Sequence, residues 1–177
     1  ELVRRNIEVF LKREPEADVM QGDARNMAFL PDGIADVTLL LGPLYHLISD
    51  EETLKALLEA KRVTKPGGVI FVAYLMNEYS ILSYCFDEDR IGELLAKGQV
   101  DKDFHIQAKD DELYDYVRID DINRLNEKAG LERVTIFSPD GAADYMRTRL
   151  NRMSEETFAL FIEYQKCISE RPDLIGA

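Results

Sequence analysis

Two uninterrupted apolar runs constrain this chain more than any other feature. Asp36-Val37-Thr38-Leu39-Leu40-Leu41 and Val69-Ile70-Phe71-Val72-Ala73-Tyr74-Leu75 lack the alternation of a half-exposed strand. Such runs read as strands buried on both faces, the habit of a parallel sheet. Between them, Ser49 and Glu52 have the spacing of a capping box, and Leu54, Leu57 and Leu58 supply the apolar stripe of a helix. Lys65-Pro66-Gly67-Gly68 then stops that helix and turns the chain. Helix and strand alternating in this way indicate an α/β layer fold.

The rest of the chain extends the pattern. Val3, Ile7, Phe10 and Leu11 share one side of a helix over Glu1 to Arg13, which Pro15 ends. A short strand is expected at about Asp18 to Gln21, and Pro31-Asp32-Gly33 is a turn. From Asn77 to Val117 the pattern loosens into aromatics and acidic clusters, with one short helix around Asp89 to Lys97. Asp120 or Asp121 caps the next helix, which turns Ile122, Leu125 and Ala129 inward and ends at Gly130. Leu131 to Phe137 reads as a strand. After Pro139-Asp140-Gly141 the chain is helical, with Phe158, Phe161, Ile162 and Ile168 as a core-facing stripe.

At 177 residues the chain has the length of one domain. Its 34 Asp and Glu against 22 Lys and Arg give a formal net charge of −12. That balance argues against a broad nucleic-acid surface, which needs clustered cations to displace counterions. No apolar run reaches the roughly 20 residues of a membrane span, and no signal peptide opens the sequence. Cys85 and Cys167 fit no metal or redox spacing and read as reduced thiols of a cytoplasmic protein. No His, Cys or carboxylate group has metal-ligand spacing, so no metal site is expected.

Three short stretches flank the strands. Gly22-Asp23-Ala24 and Gly42-Pro43-Leu44-Tyr45-His46-Leu47 each follow one, whereas Lys65-Pro66-Gly67-Gly68 precedes one. Ligands of open parallel sheets sit outside the carboxyl ends of the strands. The first two stretches therefore belong to one crevice edge and the third to the opposite edge. Asp23 offers an acceptor for an adenine amino group or a ribose hydroxyl. Gly42 and Pro43 let backbone approach a ligand, with Tyr45 and His46 facing the same space. The plainer readings are a turn-capping Asp23, an ordinary hydrogen-bonded His46 and a Tyr45 packed under the next helix. His105 reads as solvent-facing and Cys85 as lid core.

In the order and separation of these stretches the chain resembles the S-adenosylmethionine-dependent methyltransferases of the Rossmann-like class, small-molecule type. The resemblance runs from about Glu1 to Phe137, and Gly42 to Leu47 is its most specific part. It implies a mostly parallel sheet with flanking helices, a substrate lid over 77–118 and a helical tail over 139–177. Asp23 would bind the adenine amino group, with Ala24 against the ring; Leu41, Gly42 and Pro43 would lie beside the methionine portion. Tyr45 and His46 would line the meeting point of methyl group and acceptor. The class's glycine-rich turn and ribose-binding acid would lie before Glu1, and its last strand beyond Ala177. The resemblance thus implies a piece of a longer enzyme, or a chain completed by a partner copy as a homodimer or by strand exchange.

The function so implied is methyl transfer from S-adenosylmethionine to a small-molecule acceptor by in-line displacement. The alternatives are a methyltransferase-like binding or scaffold module without cofactor, and a nicotinamide-dependent oxidoreductase on a similar sheet.

Overall fold

A computed structural model of the chain describes residues 9, 11–14, 16–109 and 112–171. Val3, Ile7, Phe10 and Pro15, expected in or at the end of a first helix, lie outside them, while residues 11–13 are helical.

The centre is one strand–helix–strand unit. Strand β1 (Ala35–Leu40) leads through a 3₁₀ turn (Pro43–His46) into helix α1 (Asp50–Val63), which runs directly into strand β2 (Thr64–Val72). The strands pair in parallel, Val37 with Val69 through Leu40 with Val72, and Ala73 N–H extends the ladder to the Leu40 carbonyl at 3.1 Å. Near its start the register jumps, because Ala35 pairs with Thr64 while Val37 already faces Val69. Lys65-Pro66-Gly67-Gly68 takes up that excess as a bulge. A Cβ on Gly68 would lie 2.7 Å from Thr64 Cγ2 and 2.8 Å from the Asp36 carbonyl oxygen, so the bulge closes only around glycine.

Helix α1 begins as its sequence dictates. Ser49 Oγ accepts from Glu52 N–H at 3.3 Å, with three acidic residues in the first turn. The Glu52 carboxylate does not return to the cap; it pairs with Arg25 and Lys55. Helix α1 meets the sheet through Ala56, Leu57 and Ala60, all fully buried, whereas Leu58 points outward. Two alanines flanking one leucine let the helix backbone approach the strands closely. Leu40, Leu44, Leu125 and Ala129 complete this core, with Ile70 and Val72 packed against it.

The segment after β2 builds a second, smaller core. Helix α2 (Asn77–Ser80) continues into a π-helical turn (Ile81–Phe86) and is followed by α3 (Ile91–Ala96). Ile81, Cys85, Leu94 and Val100 bury together. Helix α4 (Ile119–Ala129) then returns to α1 and buries Ile122, Leu125 and Ala129 as expected. Gly130 ends it at φ 60°, and Lys61 of α1 donates to the last carbonyls, Ala129 at 2.9 Å and Gly130 at 2.7 Å. Helices α5 (Ala143–Leu150) and α6 (Glu155–Ile168) form the tail.

Several sequence expectations are corrected. The strands are buried on one face only: Leu40 is 4 % exposed but its neighbour Leu39 is 63 % exposed, and Val37, Leu41, Val69 and Phe71 share the open face. No strand forms at residues 18–21 or 131–137, where Val134 is 88 % exposed; among the described residues neither segment has a partner to complete a ladder. The cap of α4 is Arg118, before the expected Asp120 or Asp121, because Asp121 reaches back to accept from the Arg118 backbone N–H at 2.9 Å. The tail stripe is not core, since α6 buries no residue and Phe158 and Ile162 stay exposed.

This packing makes an unequal pair of substitutions. Leu57→Ala should cost about 2–5 kcal/mol in urea denaturation, the usual range for a buried leucine. Leu39→Ala, on the open face, should cost under about 1 kcal/mol.

Candidate functional site

The carboxyl ends of β1 and β2 carry most of the residues singled out from the sequence. Leu41 leaves β1 on the exposed face, and Gly42 follows at φ 151°, a value side chains rarely adopt. Leu44, 2 % exposed, pins the 3₁₀ turn into the core, so Tyr45 and His46 project from an anchored base. The Tyr45 hydroxyl bends back over Gly42, where a Cβ would lie 3.3 Å from it.

A strip of chain from the second core crosses this turn. His46 Nδ1 lies 2.8 Å from the Leu113 carbonyl, Asp115 N–H donates to the Tyr45 carbonyl at 2.9 Å, and Val117 N–H donates to the Leu75 carbonyl at 3.0 Å. Residues 113–117 thereby lace across both strand ends. Tyr114 completes a ring cluster, its centroid 6.0 Å from Tyr45 and 5.2 Å from His46, while Tyr45 and His46 meet edge-on at 4.8 Å.

The contact with Leu113 fixes the chemistry of His46. A carbonyl only accepts, so Nδ1 carries the proton and the Nε2 lone pair of the neutral ring is left to accept one. Tyr74, just past β2, packs on the main core with its hydroxyl buried and unpartnered, and burial pushes its pKa up to about 12. It therefore stays protonated at neutral pH.

Asp23 and Ala24 sit on a separate turn. Asp23 Oδ1 accepts from the Arg25 backbone N–H and from Arg25 Nε, both at 2.9 Å, which is the turn-capping role. Arg25 holds the carboxyl down at about 2 and bridges it to Glu52 at the start of α1. Ala24 packs against the main core. Asp23 thus reaches the Pro43–His46 turn indirectly, through Arg25 and the helix that the turn begins. A carboxylate has about four acceptor positions; Arg25 makes four contacts with Asp23, two on each oxygen, and so fills them.

Asp115 was not singled out in the sequence, although an acid set between Tyr114 and Tyr116 in a strip of alternating residues is a usable signal. Burial pushes its carboxyl up to about 6, against the Tyr116 backbone N–H and His105, which pull it down. His105 itself is half-buried rather than solvent-facing, with Nε2 3.3 Å from the Tyr116 carbonyl and 3.7 Å from Asp121 Oδ2. Cys85 is buried in the second core, and its thiol is pushed up by that burial. Among the described residues no group of three or more His, Cys, Asp or Glu is placed to hold a metal ion, and no helix is long and apolar enough to cross a membrane.

Asp115 gives a signed pH dependence. Below about pH 4 the folded and unfolded chains both hold its proton. Between the ordinary 3.8 and about 6 the unfolded chain releases it first, so stability falls with rising pH; above that window the penalty is complete. Asp115→Asn should be more stable than wild type at pH 7, and the difference should vanish near pH 4 in paired urea titrations.

Comparison with known proteins covers the same ground. Residues 1–72 match the family model described as a methyltransferase domain. No curated protein and no solved structure matches the chain. The matched stretch contains Asp23, β1, the Gly42–His46 turn, α1 and β2. Over residues 1–72 the chain is similar to the methyltransferase-domain family.

Proposed function

We propose that the protein transfers a methyl group from S-adenosylmethionine to a small-molecule acceptor, on a Rossmann-like sheet of which β1 and β2 are two strands. The observation that carries this reading is the anchored Gly42–His46 turn at the carboxyl edge of a parallel strand–helix–strand unit, inside the family-matched residues. Bound there, S-adenosylmethionine supplies an electrophilic methyl group on a sulfonium. Gly42 would present its backbone to the methionine portion with the Tyr45 hydroxyl beside it, and Asp23 would accept from the adenine amino group in place of one Arg25 contact.

The chain's own part is positioning and one proton. Tyr45 and Tyr114 offer π-faces to a cationic centre at the turn. The strip 113–117 crosses the turn, tied to it by the Asp115 N–H on the Tyr45 carbonyl. His46 Nε2, with Nδ1 fixed on the Leu113 carbonyl, takes the proton of an acceptor hydroxyl or amine. Alignment of acceptor, methyl and sulfur does the remainder.

The binding-module reading has one observation in its favour, the capture of Asp23 by Arg25. Calorimetry of the native protein with S-adenosylmethionine separates the two. The methyltransferase reading expects saturable heat, about tenfold weaker binding in Asp23→Ala, and little change in His46→Ala. An absence of heat supports the module instead.

A further inference from the structure

We propose that Arg25 is an internal competitor of the cofactor: its guanidinium fills Asp23 in the free chain and turns aside, held by Glu52, when an adenine amino group takes its place. The inference rests on the methyl-transfer reading and adds to it the residue that controls access to the adenine contact.

The two oxygens of Asp23 are held differently. Oδ1 accepts from the Arg25 backbone N–H and from Arg25 Nε, both at 2.9 Å. Oδ2 is held by the side chain alone, from Nε at 3.1 Å and from Nη2 at 2.5 Å. When the guanidinium leaves, the backbone contact still caps the turn on Oδ1, and Oδ2 is open to an N–H donor. Turn capping and ligand binding thus fall on different oxygens of one carboxylate.

The turn keeps its shape without the guanidinium. Asn26 N–H donates to the Asp23 carbonyl at 2.9 Å, and Ala24 packs on the main core. The loop that follows is stapled to α1 by a different arginine: Arg62 donates to the Leu30 carbonyl at 2.9 Å and the Met27 carbonyl at 3.0 Å, and pairs with Asp32 and Glu59. Among the described residues the Arg25 side chain bonds only the Asp23 and Glu52 carboxylates, with no backbone carbonyl to pin it.

Release is inexpensive. The Arg25 and Asp23 side chains are 38 % and 49 % exposed, so water screens the pair. Arg25 Nη1 already donates to Glu52 at the start of α1, and that nitrogen is not one of those on Asp23. The guanidinium therefore pivots on Glu52 without losing every counter-charge.

The test is calorimetry of the full chain with S-adenosylhomocysteine. This ligand has the adenosyl group but no net charge, so a gain in affinity is not attraction to a cation. Arg25→Met keeps the apolar stem without the donors and should bind about threefold more tightly than wild type. Arg25→Lys, a point charge without the planar fork, should fall between the two. It carries the test alone if circular dichroism shows that Arg25→Met unfolds. Glu52→Gln should bind about twofold more weakly, because Arg25 then has only Asp23 to rest on. A merely structural bridge would shift affinity in the same direction from either end. The proposal is overturned, with the methyl-transfer reading left standing, if wild type binds and the folded Arg25 variants bind no more tightly, or if Glu52→Gln does not weaken binding. No saturable heat in wild type or any variant removes the methyl-transfer reading and this proposal with it.

Discussion

The packing of α1 on the inner face of β1 and β2 underlies everything else in the molecule. Ala56, Leu57 and Ala60 set the distance between helix and sheet, and Leu40, Ile70 and Val72 fill it. Because α1 connects the two strands, this one contact makes them parallel and puts both carboxyl ends on the same edge. Gly68 permits the tight return from helix to strand at the other end. The Gly42–His46 turn is therefore positioned by core packing rather than by its own hydrogen bonds, with Leu44 as the link between the two.

The sheet is covered on one side only. Val37, Leu39, Leu41, Val69 and Phe71 form an apolar outer face that a soluble monomer seldom leaves open. The same face reaches Leu41, one residue before the turn. The site is closed from the opposite direction by residues 113–117, delivered by the second core. Two separately packed units thus meet at one turn.

What was legible in the sequence follows from how local each signal is. The strand–helix–strand unit was readable because its apolar runs, its Ser49 cap and its Pro-Gly-Gly stop are short-range features. The Gly130 terminus of α4 was readable for the same reason. One-sided burial was not, because a continuous apolar run describes the finished environment of a strand and not which neighbours are present. The segments at 18–21 and 131–137 have strand-like composition but no partner among the described residues, and pairing is a non-local property. The position of Tyr45 and His46 in the turn after β1 was legible from the Gly42-Pro43 that opens it. Tyr114 and Asp115 come from 67 or more residues downstream of His46 and its neighbours, as the His46–Leu113 contact shows, and no local pattern announces such a crossing.

The central claim is that the turn after β1 faces the reacting methyl group. Nuclear Overhauser contacts from S-adenosylmethionine carrying a ¹³C-labelled methyl, bound to the native protein, test it most directly. The account predicts cross-peaks from that methyl to the ring protons of Tyr45 and His46. Saturable binding with the methyl in contact only with residues outside 41–47 and 113–117 would contradict it.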